Sequence, residues 1–357
     1  MSVSERSEPA RLVLIAGPCS AETEAQVLET ARGVAPLRPD YFRAGIWKAR
    51  TRPGTFEGIG EPALPWLAAA GRASGLRTAT EVATARHVEA ALEHGIDALW
   101  IGARTTVNPF SVQELADALR GAPVPVFVKN PTSPDLALWL GAFERISAAG
   151  VGPVAGVFRG VSVADSEPYR NAPMWDLVLE LRRQVPALPI LVDPSHIAGR
   201  RDLLVPLAQR ALDLGLDGLM IEAHPNPDAA WSDAAQQVTP ERLAEIMAAL
   251  HIRRQTSEDE SYRRAMDAYR DRIDEVDAAI LRLLAERMSV VERIAAEKRA
   301  RNVTTFQVDR WRSLLEERMR NAERLGLDPD YAKAVYQVIH RESVTRQSAA
   351  DEAGPER

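Results

Sequence analysis

The sequence is poor in cysteine, in lysine and in long apolar runs. Cys19 is the one cysteine in 357 residues, which excludes an internal disulfide and makes a reducing cytoplasm the expected compartment. No apolar run approaches the roughly 18 residues that a membrane span needs. The N-terminal MSVSERSEPA lacks an apolar secretion segment, so no membrane partner is expected. A net charge of −6 argues against nucleic acid as a partner. Of 44 cationic residues only Lys48, Lys129, Lys298 and Lys333 are lysines. In a chain that prefers guanidinium groups, each lysine marks a place where a compact ammonium is used instead.

Two textures divide the chain. From Leu12 to about Leu250, short apolar runs alternate with helical patterns. The runs are LVLIA at 12, YFRAGI at 41, LRTATEV at 76, ALWIGA at 98, VPVFVKN at 124, VAGVFRG at 154, LPILVDP at 188 and GLMIEAH at 218. Eight such units in about 240 residues predict a (β/α)₈ TIM barrel over residues 1–252. An open doubly wound sheet is the alternative, but no Gly-rich dinucleotide fingerprint follows the first run. Residues 253–261 read as a polar linker. Beyond it, Tyr262 to Ala300 contains no glycine or proline and predicts one long helix. A second helix is expected from about Val308 to Leu325, and a third begins at Asp328-Pro329, with the aspartate as N-cap. One long and two shorter helices over 262–348 make a poor core for a single chain, so the all-α domain is expected to form a homodimer or larger homo-oligomer. Residues 349–357 read as a disordered tail.

LVLIAGPCS ends its apolar run at Gly17-Pro18 and puts Cys19 at the carboxyl end of the first strand. Alone, Cys19 reads as a small buried hydrophobe. It is not alone. His196 follows the seventh run, Glu222 ends the eighth, and Asp233 lies in the loop after it. A barrel brings all these ends to one rim. Thiol, imidazole and two carboxylates suit a divalent transition metal, manganese, iron, cobalt or zinc. Arg43, Lys48, Arg50, Arg104, Lys129 and Arg159 follow or end strands of the same rim. So many cations beside a metal predict a substrate carrying phosphate and carboxylate groups.

GPCS, WKARTRP, IGARTT, FVKN, FRG, DPSH and IEAH together resemble the 3-deoxy-D-arabino-heptulosonate 7-phosphate (DAHP) synthases, in that family's order and across the whole barrel. The resemblance implies condensation of phosphoenolpyruvate with erythrose 4-phosphate. It assigns the metal to Cys19, His196, Glu222 and Asp233, with manganese the expected ion. It gives phosphoenolpyruvate to Arg43, Lys48, Arg104, Lys129 and Arg159, and the aldose phosphate to Arg50 and Thr51. Ala49 stands where the commoner motif has proline. A sister synthase acting on arabinose 5-phosphate is disfavoured by the Lys48-Ala49-Arg50-Thr51 run.

In the long helix, Ile273, Ile280, Arg287 and Ile294 form one column, and Asp277, Leu284, Val291 and Lys298 its neighbour. Arg287 and Lys298 share a face, eleven residues apart. Two cations in an apolar seam call for an anion between them. Ser343 and Gln347 lie one turn apart on the third helix. From about Tyr262 to Gln347 the pattern resembles the all-helical chorismate mutases. That likeness carries Arg270, Arg287, Lys298, Arg310 and Gln347 onto dicarboxylate-binding positions, with Ser343 beside them. Arg270 points off the Arg287–Lys298 face, and in this family the corresponding arginine reaches into the partner's site. Gln307 stands where some members carry an acid near the substrate hydroxyl. A bifunctional enzyme follows, with chorismate as third substrate and feedback on the synthase by chorismate or prephenate as an expected second role. The alternative for the helical domain is a ligand-sensing module with little catalysis.

Overall fold

The computed structural model describes residues 12–49, 54–253 and 257–352. The chain divides into two compact units, Met1–Gln255 and Thr256–Arg357, at a point inside the predicted linker.

All eight apolar runs form strands: β1 Val13–Gly17, β2 Tyr41–Arg43, β3 Thr78–Val82, β4 Ala98–Ile101, β5 Val126–Lys129, β6 Val154–Phe158, β7 Ile190–Val192 and β8 Gly218–Glu222. They pair in parallel, in sequence order, and close as β1 pairs β8 from Val13↔Gly218 to Gly17↔Glu222. This is the expected barrel, not the open sheet. The interior is packed by Ile15, Tyr41, Ala79, Ala98, Trp100, Phe127, Ala155, Val157, Leu191 and Met220. A larger apolar shell fills the space between strands and outer helices.

Side chains alternate along a strand, so the residue two beyond each interior position also points inward. Two past Tyr41, Ala79, Phe127, Val157, Leu191 and Met220 stand Arg43, Glu81, Lys129, Arg159, Asp193 and Glu222. The apolar filling of the barrel therefore gives way, at the carboxyl end, to a layer of charge. Backbone approaches tightly here. Gly17 has φ 146°, and a Cβ on it would lie 2.2 Å from the Arg43 carbonyl oxygen. A Cβ on Gly102 would lie 2.1 Å from Glu81 Oε1.

Among the described residues the second unit holds three helices, Glu260–Ala300, Val308–Arg324 and Pro329–Glu352. The first begins two residues before the predicted start because Asp259 caps it, accepting from the backbone N–H groups of Ser261 and Tyr262. Asp328 caps the third in the same way. That helix runs to Glu352, four residues into the predicted tail, because Ser348-Ala-Ala-Asp-Glu offers no breaker before Gly354. The rest of the tail lies outside the described residues. Only Met288, Val291 and Ala295 of the long helix are buried. Ile273, Ile280 and Ile294, expected in an apolar seam, are 58%, 48% and 44% exposed. Among the described residues no helix is long and apolar enough to cross a membrane.

Candidate functional site

The charged layer of the barrel is self-paired. Arg43, at the end of β2, is fully buried, with Nη2 3.1 Å from Glu222 Oε1. Its Nε and Nη1 are buried without hydrogen-bond partners, and its guanidinium lies over Trp100, 4.8 Å from the ring centroid. Lys129 Nζ approaches the same ring and donates to Asp193 Oδ2 at 2.8 Å. Burial alone would raise the Asp193 pKa, but the adjacent His196 and Lys129 hold its carboxyl well below the ordinary range. Arg159 donates to Asn171 Oδ1 at 2.7 Å, and burial lowers its pKa to about 10. These buried cations have fixed positions and, in Arg43, donors still to be satisfied. An anion entering over them finds prepaired charge rather than water. Arg104 is exposed on the short helix Ala103–Thr106 after β4. Arg50 and Thr51 lie outside the described residues.

Cys19, Glu222 and Asp233 offer ligand atoms that all lie within 4.8 Å of one another. Cys19 Sγ is 3.4 Å from Asp233 Oδ2. His196 stands at the edge of this group, Nε2 3.8 Å from Asp233 Oδ2 and Nδ1 3.8 Å from Glu222 Oε1. Nδ1 lies 2.9 Å from Asp193 Oδ2, out of line to donate to it, and the nearby carboxylate favours a proton on Nδ1, leaving the Nε2 lone pair for a ligand role. The donor types suit a divalent transition metal: one soft thiol, one imidazole and two carboxylates. The Cys19, Glu222 and Asp233 atoms are spaced as bonds of about 2.0–2.4 Å to a common centre require, while His196 stands just outside that spacing. Glu222 Oε1 is buried, and Arg43 is out of line to donate to it. Burial, reinforced by the Glu222 carboxylate, pushes the Cys19 thiol up to about 12. Lys48 Nζ donates to Cys19 Sγ at 2.8 Å and to its carbonyl oxygen at 3.3 Å. Lys48, expected among the phosphoenolpyruvate ligands, thus faces the thiol.

The loop after β8 is held by residues that carried no signal in the sequence. Gln237 Oε1 accepts from the Cys19 N–H at 2.9 Å, and Gln236 Nε2 donates to Glu222 Oε2 at 2.6 Å. Arg170 reaches Gln236 Oε1 at 2.6 Å and Asp233 Oδ1 at 3.3 Å. Asp233 itself sits at φ 47°, a conformation that this bracing sustains. Burial opposes ionisation of Asp233, yet His196, Lys48 and Arg170 keep it ionised far below its ordinary range. Gln236→Leu is expected to weaken divalent-metal binding about 10- to 100-fold, read by calorimetric titration of the full-length protein. Unchanged affinity would show that Glu222 keeps its orientation without the amide.

In the helical unit, Arg287 Nη1 donates to Ser343 Oγ at 2.6 Å. Ser343 and Gln347 are buried, and Gln347 Oε1 has no partner. Lys298 Nζ donates to the Thr305 carbonyl oxygen at 2.6 Å. Gln307 and Arg310 are exposed at the start of the second helix. Arg270 is not brought to this group; it is exposed and paired with Asp267 at 3.1 Å. The sequence reading passed over Trp311 and His340, whose rings stack at 3.9 Å.

Fold and rim together define an aldol-type synthase barrel followed by an all-helical domain. Residues 6–257 match the DAHP synthetase I family and residues 269–348 match chorismate mutase type II. Phospho-2-dehydro-3-deoxyheptonate aldolase of Thermotoga maritima is 33% identical over 234 residues, covering 66% of this chain and 67% of the relative. A crystal structure of phospho-2-dehydro-3-deoxyheptonate aldolase (DAHP synthase) from Thermotoga maritima superposes with TM-score 0.60 at 31% identity, over 66% of this chain and 67% of that one. The 2-dehydro-3-deoxyphosphooctonate aldolase of Syntrophotalea carbinolica is more distant, 28% identical over 66% of this chain and 88% of its own. The chain belongs to the DAHP synthetase I family. With its chorismate mutase domain it is a bifunctional enzyme of the shikimate pathway, both transferase and isomerase.

Proposed function

We propose that the barrel rim binds phosphoenolpyruvate over Arg43, Lys129 and Arg159, with Lys48 and Arg104 at its margin, and erythrose 4-phosphate through Arg50 and Thr51. Cys19, His196, Glu222 and Asp233 would hold a divalent metal, manganese being the leading choice among manganese, iron, cobalt and zinc. That ion would supply Lewis acidity at the aldehyde oxygen. The chain's own part is positional and electrostatic. The buried cations neutralise phosphate and carboxylate and aim the methylene carbon of the enol phosphate at the aldehyde carbon. The new carbon–carbon bond leaves a cationic centre at C2, water adds there, and the C–O bond to phosphate breaks. The single observation that carries this is the inward layer Arg43, Lys129, Arg159, Asp193 and Glu222 beside Cys19.

The helical domain binds chorismate with Arg287, Lys298, Arg310, Ser343, Gln307 and Gln347, and rearranges it to prephenate without acid, base or nucleophile. Arg270 serves the partner's site across a homodimer. Support for the dimer comes from Tyr269, Ile273, Val276, Ile280, Leu283, Val290 and Ile294, exposed at alternating spacings of four and three with Arg287 in the same series. Such a heptad seam is what two long helices bury between them. Chorismate or prephenate held there feeds back on the synthase. The enzyme works in the cytoplasm.

Phosphate release should require both phosphoenolpyruvate and erythrose 4-phosphate, chorismate should disappear in the same sample, and added prephenate should slow phosphate release. Efficient turnover of arabinose 5-phosphate instead would overturn the substrate assignment, and an unchanged rate with prephenate the feedback.

A further inference from the structure

His340 belongs to no role assigned above. Its ring stacks on Trp311 with an 11° interplanar angle and meets Phe306 at 5.6 Å between centroids. Phe306 and Trp311 flank the segment that carries Gln307 and Arg310. On the third helix His340, Ser343 and Gln347 follow at spacings of three and four, so they share a face. His340 Nε2 and Gln347 Oε1 are both buried without a hydrogen-bond partner. They are seven positions apart, about 10 Å of helix, the length of a small bicarboxylic acid. Arg287 donates to Ser343 between the two.

Packing alone explains the stacked ring but not the stranded nitrogen. An apolar ring of the same shape would fill the space beside Trp311 without burying an unsatisfied polar atom. Burial and then the Arg287 charge hold the His340 pKa below its ordinary value, so the imidazole is a neutral hydrogen-bonding group near neutral pH. Neutral imidazole is a weak partner for a carboxylate, which the arginines already serve, and a good one for a hydroxyl, which can donate to one tautomer and accept from the other. Where some chorismate mutases carry an acid near the substrate hydroxyl, this chain has Gln307, exposed and adjacent to Phe306.

We propose that His340 recognises the ring hydroxyl of chorismate through Nε2, with Trp311 and Phe306 clamping its ring, in place of an acid at position 307. The proposal rests on the mutase reading of this domain. Its test uses the full-length protein, chorismate, and the analogue in which hydrogen replaces the ring hydroxyl. His340→Phe preserves the stack and removes the nitrogen. It should lower kcat/KM for chorismate about tenfold, the loss of one hydrogen bond, and change the deoxy analogue less than about twofold. His340→Gln should recover part of the loss on chorismate alone, and it is read in the same way if His340→Phe does not fold. Equal losses on both substrates would assign His340 to packing and overturn the proposal, as would no loss on either. Absence of chorismate turnover in the unmodified protein would instead sink the mutase reading itself.

Discussion

Stripping divalent metal from the full-length protein is expected to lower the condensation rate at least about 100-fold, or about 2.7 kcal/mol of barrier, while chorismate turnover changes less than twofold. The reason lies in the composition of the rim. Arg43, Lys129 and Arg159 are committed to buried partners and, in the proposed reading, to the anionic end of the substrate. Two other cations stand near the Cys19–Asp233 pair among the described residues: Arg170, which braces Asp233 Oδ1 at 3.3 Å and Gln236, and Lys48, which spends its ammonium on the sulfur at 2.8 Å. With its pKa at about 12 the thiol is protonated at neutral pH, so metal binding must expel that proton. Adding manganese to the stripped protein in weak buffer should therefore release about one proton per site and restore the rate. Cys19→Ser should need far more metal for the same recovery, because a hydroxyl does not ionise as readily as a thiol on a transition metal. Full activity in chelator would move the electrophilic role to Lys48 and leave Cys19 as a packed thiol.

The barrel was legible because its two periods are strong. Every apolar run became a strand, and the closure follows from their number and order. The rim was legible only where a residue type announces chemistry. Cys19, His196 and Glu222 do so at strand ends. Glu81 and Asp193 obey the same inward alternation, yet an isolated acid in TATEV or VDP has the look of an ordinary turn residue until the neighbouring strands are in place. Glu81 accepts from Trp100 Nε1 at 2.8 Å, a contact between strands that no local pattern encodes. Gln236 and Gln237 were invisible for a different reason. Their loop has no period, and their partners Glu222 and Cys19 are 14 and 218 residues away. In the helical domain the seven-residue columns were readable, but their burial was not. Val291 turned toward the other helices of its own chain at 6% exposure, while the Ile273 column stayed open. The same spacing serves an internal core and an intersubunit seam.

Lys298→Ala is expected to lower the mutase kcat about 100- to 1,000-fold with a smaller change in KM, and to leave the condensation rate within twofold. Eleven residues separate Lys298 from Arg287, a distance of about 16 Å along the helix axis. Two long side chains on one face at that separation can hold one small dianion between their heads. Arg287 is anchored on Ser343, and in the proposed reading it takes the carboxylate end. Lys298 is anchored differently: its ammonium donates to the Thr305 carbonyl oxygen, and the turn beyond, with Asn302 at φ 55° and the Val303 N–H donating to the Lys298 carbonyl at 2.9 Å, folds over it. An ammonium has three donors, so two remain for a ligand while the third fixes its place. During rearrangement negative charge grows on the ether oxygen as the C–O bond breaks. A cation already fixed beside that oxygen lowers the barrier more than it strengthens ground-state binding. Removing such a group should appear in kcat, whereas Arg287→Ala, which strips a carboxylate contact present throughout, should raise KM more than it lowers kcat. Initial rates of chorismate loss across a concentration series separate the two. If Lys298→Ala raised KM and spared kcat, the ammonium would be a second carboxylate anchor, and charge at the ether oxygen would have to be met by Gln347.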